Sequence, residues 1–162
     1  MEEILIETKM LDLATQINYE PSDIEYLKKA MRRQIVHKPD DGANRKNYTN
    51  DGYATLGDAL LKLILTEYFF DQEYDKGKIT EKKKSIEKNK TLYKLCKQSG
   101  IFRYAYNASN FYSDAPLEKR VSHSEHDSYV EAVIAAIYKD KGFDYCKNWT
   151  ILFLRKYNLL DC

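Results

Sequence analysis

Residues 50–70 read NDGYATLGDALLKLILTEYFF, and this stretch decides the fold class. Leu56, Leu60, Leu63, Ile64 and Phe70 recur at helical spacing, and the apolar face they make is broad enough to predict a central helix running to about Phe70. Asp58 interrupts that face, among Gly57, Ala59, Leu60 and Leu61. An ionised acid in apolar surroundings costs several kcal/mol unless it is paired, protonated or bound to metal. One partner is close at hand, because Lys62 lies one turn beyond Asp58 on the same face.

A second acid stands in a similar setting. Residues 122–142, SHSEHDSYVEAVIAAIYKDKG, predict another central helix, with Val130, Val133, Ile134 and Ile137 on one side and Ala132, Ala135 and Ala136 permitting close approach of a neighbour. Glu131 sits between Val130 and Ala132. Two carboxylates brought together by packing of these helices repel, and a divalent cation removes the conflict. Oxygen ligands without a Cys or His partner favour Mg²⁺ or Mn²⁺ over Zn²⁺. His123 and His126 are spaced H-x-x-H beside Glu125, but no further pair completes a zinc site.

The rest of the chain carries the same helical signature. Its 162 residues suit one compact domain, and only six glycines and three prolines punctuate them. Ser22 and Glu25 have capping-box spacing ahead of Ile24, Leu27 and Met31. Pro39 and Gly42 open a polar loop to about Asn50; residues 78–100 read as two short helices or one bent helix stopped by Gly100; residues 143–160 supply a last amphipathic helix. No strand pattern is evident, so the expected class is all-α. Twenty-six Lys and Arg balance 25 Asp and Glu, so no whole-molecule field drives the chain onto nucleic acid or membrane. Three unevenly spaced cysteines, an acidic N-terminus without signal-peptide order, and an apolar run broken by Lys62 predict a cytoplasmic protein with no membrane partner.

Three segments, in order, carry a family resemblance. NDGYATLGDALLKL is similar to the signature helix of ribonuclease III, N-E-x-L-E-F-L-G-D-A-V-L, and DSYVEAVIAAIYKDKGF to its second motif, D-A-x-E-A-L-I-G-A-I-Y-x-D-G-G-F. Between them, GKITEKKKSIEKNKTLYKLCKQSGI resembles G-x-L-T-x-x-R-x-x-x-V-N-x-x-T-L-A-x-x-A-x-x-L-G-L, and upstream INYEPSDIEYLKKAM resembles the family's opening helix pair. The likeness spans about residues 12 to 157. It implies an all-helical endonuclease domain that forms a homodimer, binds double-stranded RNA across a cleft and uses Mg²⁺ at clustered carboxylates. The sequence ends soon after Trp149, which leads to the expectation that the family's C-terminal double-stranded-RNA-binding domain is missing.

Residue by residue, the resemblance makes Asp58 the signature aspartate and Glu131 the glutamate of the second motif, the implied catalytic and metal-binding pair. Two other implied ligands are replaced, by Ala54 and by Ser128. The outer glutamate of the signature becomes Asp51, and the aromatic residue at the subunit junction becomes Thr55. Asp51 lies about 10 Å along the helix from Asp58, too far to share a metal without a bend or a bridging water. Asp127 is four residues before Glu131, about 40° from its azimuth, and is a candidate ligand or a helix cap with Ser124. The short mini-ribonuclease III group is partly similar, with Ala before the aspartate motif and Ser or Thr near the second glutamate, so two acids are compatible with an active site. The alternative is a catalytically inactive ribonuclease III fold that binds RNA or a ribonucleoprotein, with Asp58 paired to Lys62.

Charge segregation supplies a candidate RNA face. Residues 76–97 contain nine Lys and two Glu, an excess of seven positive charges in a chain of net +1. Lys82, Lys83, Lys84, Lys88 and Lys90 are the candidate RNA-binding residues, since an A-form duplex is read mainly through its backbone. Lys28, Lys29, Arg32 and Arg33 form a candidate second patch. Phe102, Tyr104, Tyr106, Phe111 and Tyr112 either stack on unpaired bases or pack a long loop.

Overall fold

The computed structural model describes residues 3–32, 50–106 and 123–161, with side chains from Ser128 onward in the third segment. The polar loop around Pro39 and Gly42, Arg33, Phe111, Tyr112, Cys162 and the side chains of His123, Ser124, Glu125, His126 and Asp127 lie outside the described residues. The described residues form seven α-helices in order: α1 (Glu3–Gln16), α2 (Glu25–Ala30), α3 (Asp51–Asp71), α4 (Lys76–Glu87), α5 (Asn89–Ser99), α6 (His123–Lys141) and α7 (Phe143–Lys156), with a 3₁₀ turn over Ile101–Tyr104. The described residues hold no strand, only an isolated bridge between Arg32 and Tyr106. The all-α expectation is correct. Among the described residues, no helix is long and apolar enough to cross a membrane.

The centre is α6, which packs against α2, α3, α5 and α7. Tyr129, Val130 and the run from Ala132 to Ile137 are all buried, so this helix is apolar nearly all round, as a helix enclosed by neighbours must be. α3 crosses it closely because Gly57 has no side chain. A Cβ there would stand 1.7 Å from the Glu131 carbonyl oxygen and 2.9 Å from its Cα. Trp149 stacks on Phe153 with ring centroids 4.7 Å apart and donates its indole N–H to the Ile17 carbonyl at 2.9 Å, tying α7 to the end of α1.

Several local expectations need correction. Ser22 does not cap α2: Ile24 occupies the N-cap position, and Asp23 accepts the Glu25 N–H at 3.0 Å. The Ser22 and Asp23 N–H groups instead reach the Asp140 carboxylate on α6, at 2.8 and 2.9 Å, and Asp140 also accepts the Tyr19 hydroxyl. Asp140 thus takes the Ser22 N–H that Glu25 closes in a capping box, and the charged Asp23 carboxylate, a stronger acceptor than the Ser22 hydroxyl, takes the Glu25 N–H. The segment after Gly77 forms two helices that begin before it, at Lys76, capped by the Asp75 side chain and parted at the extended residue Lys88. Gly100 ends α5 in the left-handed region at φ 77°, as its position predicts.

Candidate functional site

The site is assembled where α3 crosses α6. Buried Asn50 fixes the start of α3, donating its side-chain N–H to the Ala30 carbonyl at 2.8 Å and accepting the Ala54 N–H on its own carbonyl at 2.9 Å. Two turns on, Gly57 brings α3 against the backbone of Glu131, so the next residue, Asp58, emerges beside the Glu131 side chain. Both acids are partly exposed; the Asp58 side chain retains 42% of its accessibility. The sequence led to the expectation of a buried acid, and the structure places it at the rim of the crossing, open to solvent and to a substrate. This lowers the cost of its charge.

Lys62 Nζ donates to Asp58 Oδ2 at 2.9 Å, the i,i+4 pair that the sequence allowed. Burial pushes the Asp58 carboxyl up, but hydrogen bonds to Lys62 and Glu131 outweigh it and hold the group below its ordinary value. The bond to Asp58 raises Lys62, with further support from the charges of Glu87 and Glu131. Two carboxylates side by side repel unless a proton or a cation lies between them, and a divalent cation relieves that repulsion. Asp58 and Glu131 therefore fit a hard divalent metal such as Mg²⁺ or Mn²⁺. Among the described residues no third acid comes within ligating distance of both. The one grouping of three carboxylates among the described residues that lies close enough for a shared ion is Glu3, Glu7 and Glu25, where Lys28 already bonds Glu3 and Glu25.

The sequence profile of the ribonuclease III domain matches residues 51–142, more than half of the chain. The chain belongs to the ribonuclease III domain family. It is 30% identical to Ribonuclease 3 of Clostridium acetobutylicum over 152 residues, 93% of this chain and 61% of that protein. Ribonuclease 3 of Zunongwangia profunda is 26% identical over 82% of this chain and 52% of its own length. This chain thus spans about half to three fifths of the length of those relatives. In fold it is similar to the nuclease domain of ribonuclease III from Campylobacter jejuni, with a TM-score of 0.74 at 21% identity, covering 91% of this chain and 97% of that one.

The other family positions are placed as follows. Ala54 and Ser128, each one turn or less before an acid of the pair, are buried at 9% and 6% exposure. Asp51 opens α3 in its first turn, and exposed Thr55 donates its hydroxyl to the Asp51 carbonyl at 2.9 Å. The basic run divides. Lys82 lines a groove with Tyr68, Phe69, Gln72 and Tyr74, near the far end of α3, at least ten residues or about 15 Å along the helix from Asp58. Lys78 lies over the Tyr74 ring, 3.8 Å from its centroid. Lys83 is partly buried and Lys84 is exposed on α4, while Lys88 and Lys90 are exposed at the α4–α5 junction, next to Glu87, whose charge reaches Lys62. The second basic patch is not intact: Lys28 is buried among acids that raise it to about 12 against the effect of burial. Phe102, Tyr104 and Tyr106 pack on the core, with Tyr104 donating to Gln16 at 2.9 Å and Tyr106 to the Lys28 carbonyl at 2.8 Å, so the described aromatics follow the packing alternative.

Two contributors were not singled out from sequence. Gly57 matches the signature glycine, yet its role, a contact with the Glu131 backbone, is a relation between helices that single-helix periodicity does not contain. Glu87 counted only as a minor charge in the basic run. Its Oε2 is shielded from solvent and has no hydrogen-bond partner.

Proposed function

We propose that this chain is a divalent-metal-dependent endoribonuclease that cleaves double-stranded or structured RNA. The observation that carries the reading is the pairing of Asp58 and Glu131 at the α3–α6 crossing, at the two ribonuclease III motif positions. Asp58 and Glu131 would hold Mg²⁺ or Mn²⁺. When bound, such an ion lowers the pKa of a coordinated water and neutralises phosphate charge. The partial exposure of both carboxylates leaves the site open to an RNA backbone, and exposed Lys88 and Lys90 favour phosphate close by. In the hydrolysis a water oxygen bonds to phosphorus and the bond to the 3′ oxygen breaks; the water gives up a proton to solvent and the leaving oxygen gains one, giving 5′-phosphate and 3′-hydroxyl ends.

The C. jejuni neighbour is described with a region involved in dimer formation, and we extend homodimerisation to this chain. Leu63 and Phe70, two turns apart on α3, are 51% and 69% exposed and supply apolar surface for it. Sedimentation equilibrium tests this reading: a dimer is expected, and a monomer at micromolar concentration contradicts it.

A second reading is favoured by the Asp58–Lys62 bond together with Ala54 and Ser128: a non-catalytic ribonuclease III fold that binds RNA or a ribonucleoprotein. Cleavage of a labelled RNA duplex separates the two. The endonuclease reading predicts metal-dependent cleavage with 5′-phosphate ends, lost in Asp58→Asn and Glu131→Gln. Duplex binding without cleavage in either Mg²⁺ or Mn²⁺ establishes the second.

A further inference from the structure

We propose that Lys62 is a catalytic residue of this chain, its ammonium contacting the scissile phosphate beside a single divalent cation held by Asp58 and Glu131. The inference rests on the endonuclease reading and deepens it. Its starting point is charge. Asp58 and Glu131 together carry two negative charges, which one divalent ion balances, and Ala54 and Ser128 offer no carboxylate with which to balance another. An RNA phosphate brings one further negative charge, which grows as the attacking oxygen adds to phosphorus. Among the described residues, Lys62 is a positive group already at that spot.

The geometry suits this role better than that of a simple plug. Lys62 Nζ is 2.9 Å from Asp58 Oδ2, and a carboxylate has about four lone-pair sites on its two oxygens, so this bond leaves Asp58 able to bind an ion. The Lys62 side chain is 49% exposed, as a group that meets an incoming backbone must be. The negative charges of Glu87, at the end of α4, and Glu131, on α6, also favour its ammonium form, and the shielded Oε2 of Glu87 has no hydrogen-bond partner of its own. Lys62 is thus held at Asp58 without being enclosed. It transfers no proton and keeps its charge throughout; it acts by placing a fixed positive charge where negative charge develops, an effect whose removal typically costs ~10²-fold or more in kcat.

The test compares Lys62→Met and Lys62→Arg with wild type, using a labelled RNA duplex under single-turnover conditions and Mn²⁺ binding by electron paramagnetic resonance without RNA. The expected result is one Mn²⁺ bound by all three proteins, at least as tightly in Lys62→Met, which loses a competitor for Asp58. Cleavage falls ~10²-fold in Lys62→Met at saturating Mn²⁺, with duplex affinity within about threefold of wild type, and Lys62→Arg recovers most of the rate. Cleavage by Lys62→Met at the wild-type rate or faster, or loss of its Mn²⁺ binding, overturns the role of Lys62 while leaving the endonuclease reading intact. A wild-type chain that neither binds Mn²⁺ nor cleaves overturns both.

Discussion

Replacing Gly57 with alanine tests the helix crossing that creates the site. In an exposed helix this change stabilises, because alanine exceeds glycine in helix propensity by about 1 kcal/mol. Here the new Cβ falls 1.7 Å from the Glu131 carbonyl oxygen and 2.3 Å from its carbonyl carbon, both backbone atoms of a buried helix. Relief to an ordinary C···O contact of about 3.3 Å requires α3 and α6 to part by about 1.6 Å. Overpacking of this kind costs about 1–3 kcal/mol or more, which exceeds the propensity gain. At about 2–4 °C per kcal/mol for a chain of this size, the melting temperature falls by several degrees. The same displacement separates Asp58 from Glu131, and a misplacement of ~1 Å can cost ~10² in rate. Gly52→Ala is the control. It lies in the same helix with nothing within 4 Å of its added Cβ, so it should leave stability unchanged or raise it by up to about 1 kcal/mol. Thermal unfolding of both variants, with Mn²⁺ binding measured alongside, checks the reasoning. If Gly57→Ala proves as stable as Gly52→Ala and still binds Mn²⁺, the close crossing is refuted.

Gly100 offers a second steric test: with φ at 77° and an added Cβ 2.2 Å from Gln16 Nε2, Gly100→Ala should destabilise by ~1–2 kcal/mol, and adding Gln16→Ala should restore only the part due to the clash. Asp140→Ala removes the acceptor of the Ser22 and Asp23 N–H groups and the Tyr19 hydroxyl, and chemical denaturation should report a loss of about 1–3 kcal/mol. Cys146 predicts a pH dependence. Burial raises its thiol from 9.0 to about 11, so the folded state keeps a proton that the unfolded chain loses. The contribution is fully present below pH 9 and falls as pH rises from 9 to 11, by at most about 1.4 kcal/mol per pH unit. Unfolding of Cys146→Ala over that range should show a shallower decline than wild type.

Where structure comes from neighbours along the chain, the sequence was a good guide. The helix over Asp51–Asp71, the α6 core from Val130 to Ile137 and the Gly100 stop all follow from helical periodicity and backbone preference; the predicted α3 face holds at Leu60 and Ile64 but not at Leu63 and Phe70, which are exposed while Leu61, Leu65 and Phe69 are buried. The acidic start of the chain carries no expectation of α1, although Ile6, Met10 and Leu13, all buried, recur at spacings of four and three. The failures lie where a distant group intervenes. The capping box at Ser22 is broken at both bonds: Asp140, 118 residues away, takes the Ser22 N–H, and Asp23 takes the Glu25 N–H. The basic character of Lys28 was cancelled by Glu3, Glu7 and Glu25. The evenness of the Lys run concealed a split between the Lys82 groove and the α4–α5 junction, because α4 shows one part of the run to the C-terminal segment and brings its end towards Lys62. For the site itself, Asp58 and Glu131 were legible as motif residues. Their partial exposure, and the dependence of their meeting on Gly57, are properties of the crossing and not of either helix.

The most direct test of the metal centre is anomalous diffraction at the manganese edge from crystals of the full chain equilibrated with millimolar Mn²⁺. The predicted result is one ion bridging Asp58 and Glu131, absent from Asp58→Asn crystals. Asp58 still joined to Lys62 and Glu131, with no anomalous peak between the two acids, would contradict it.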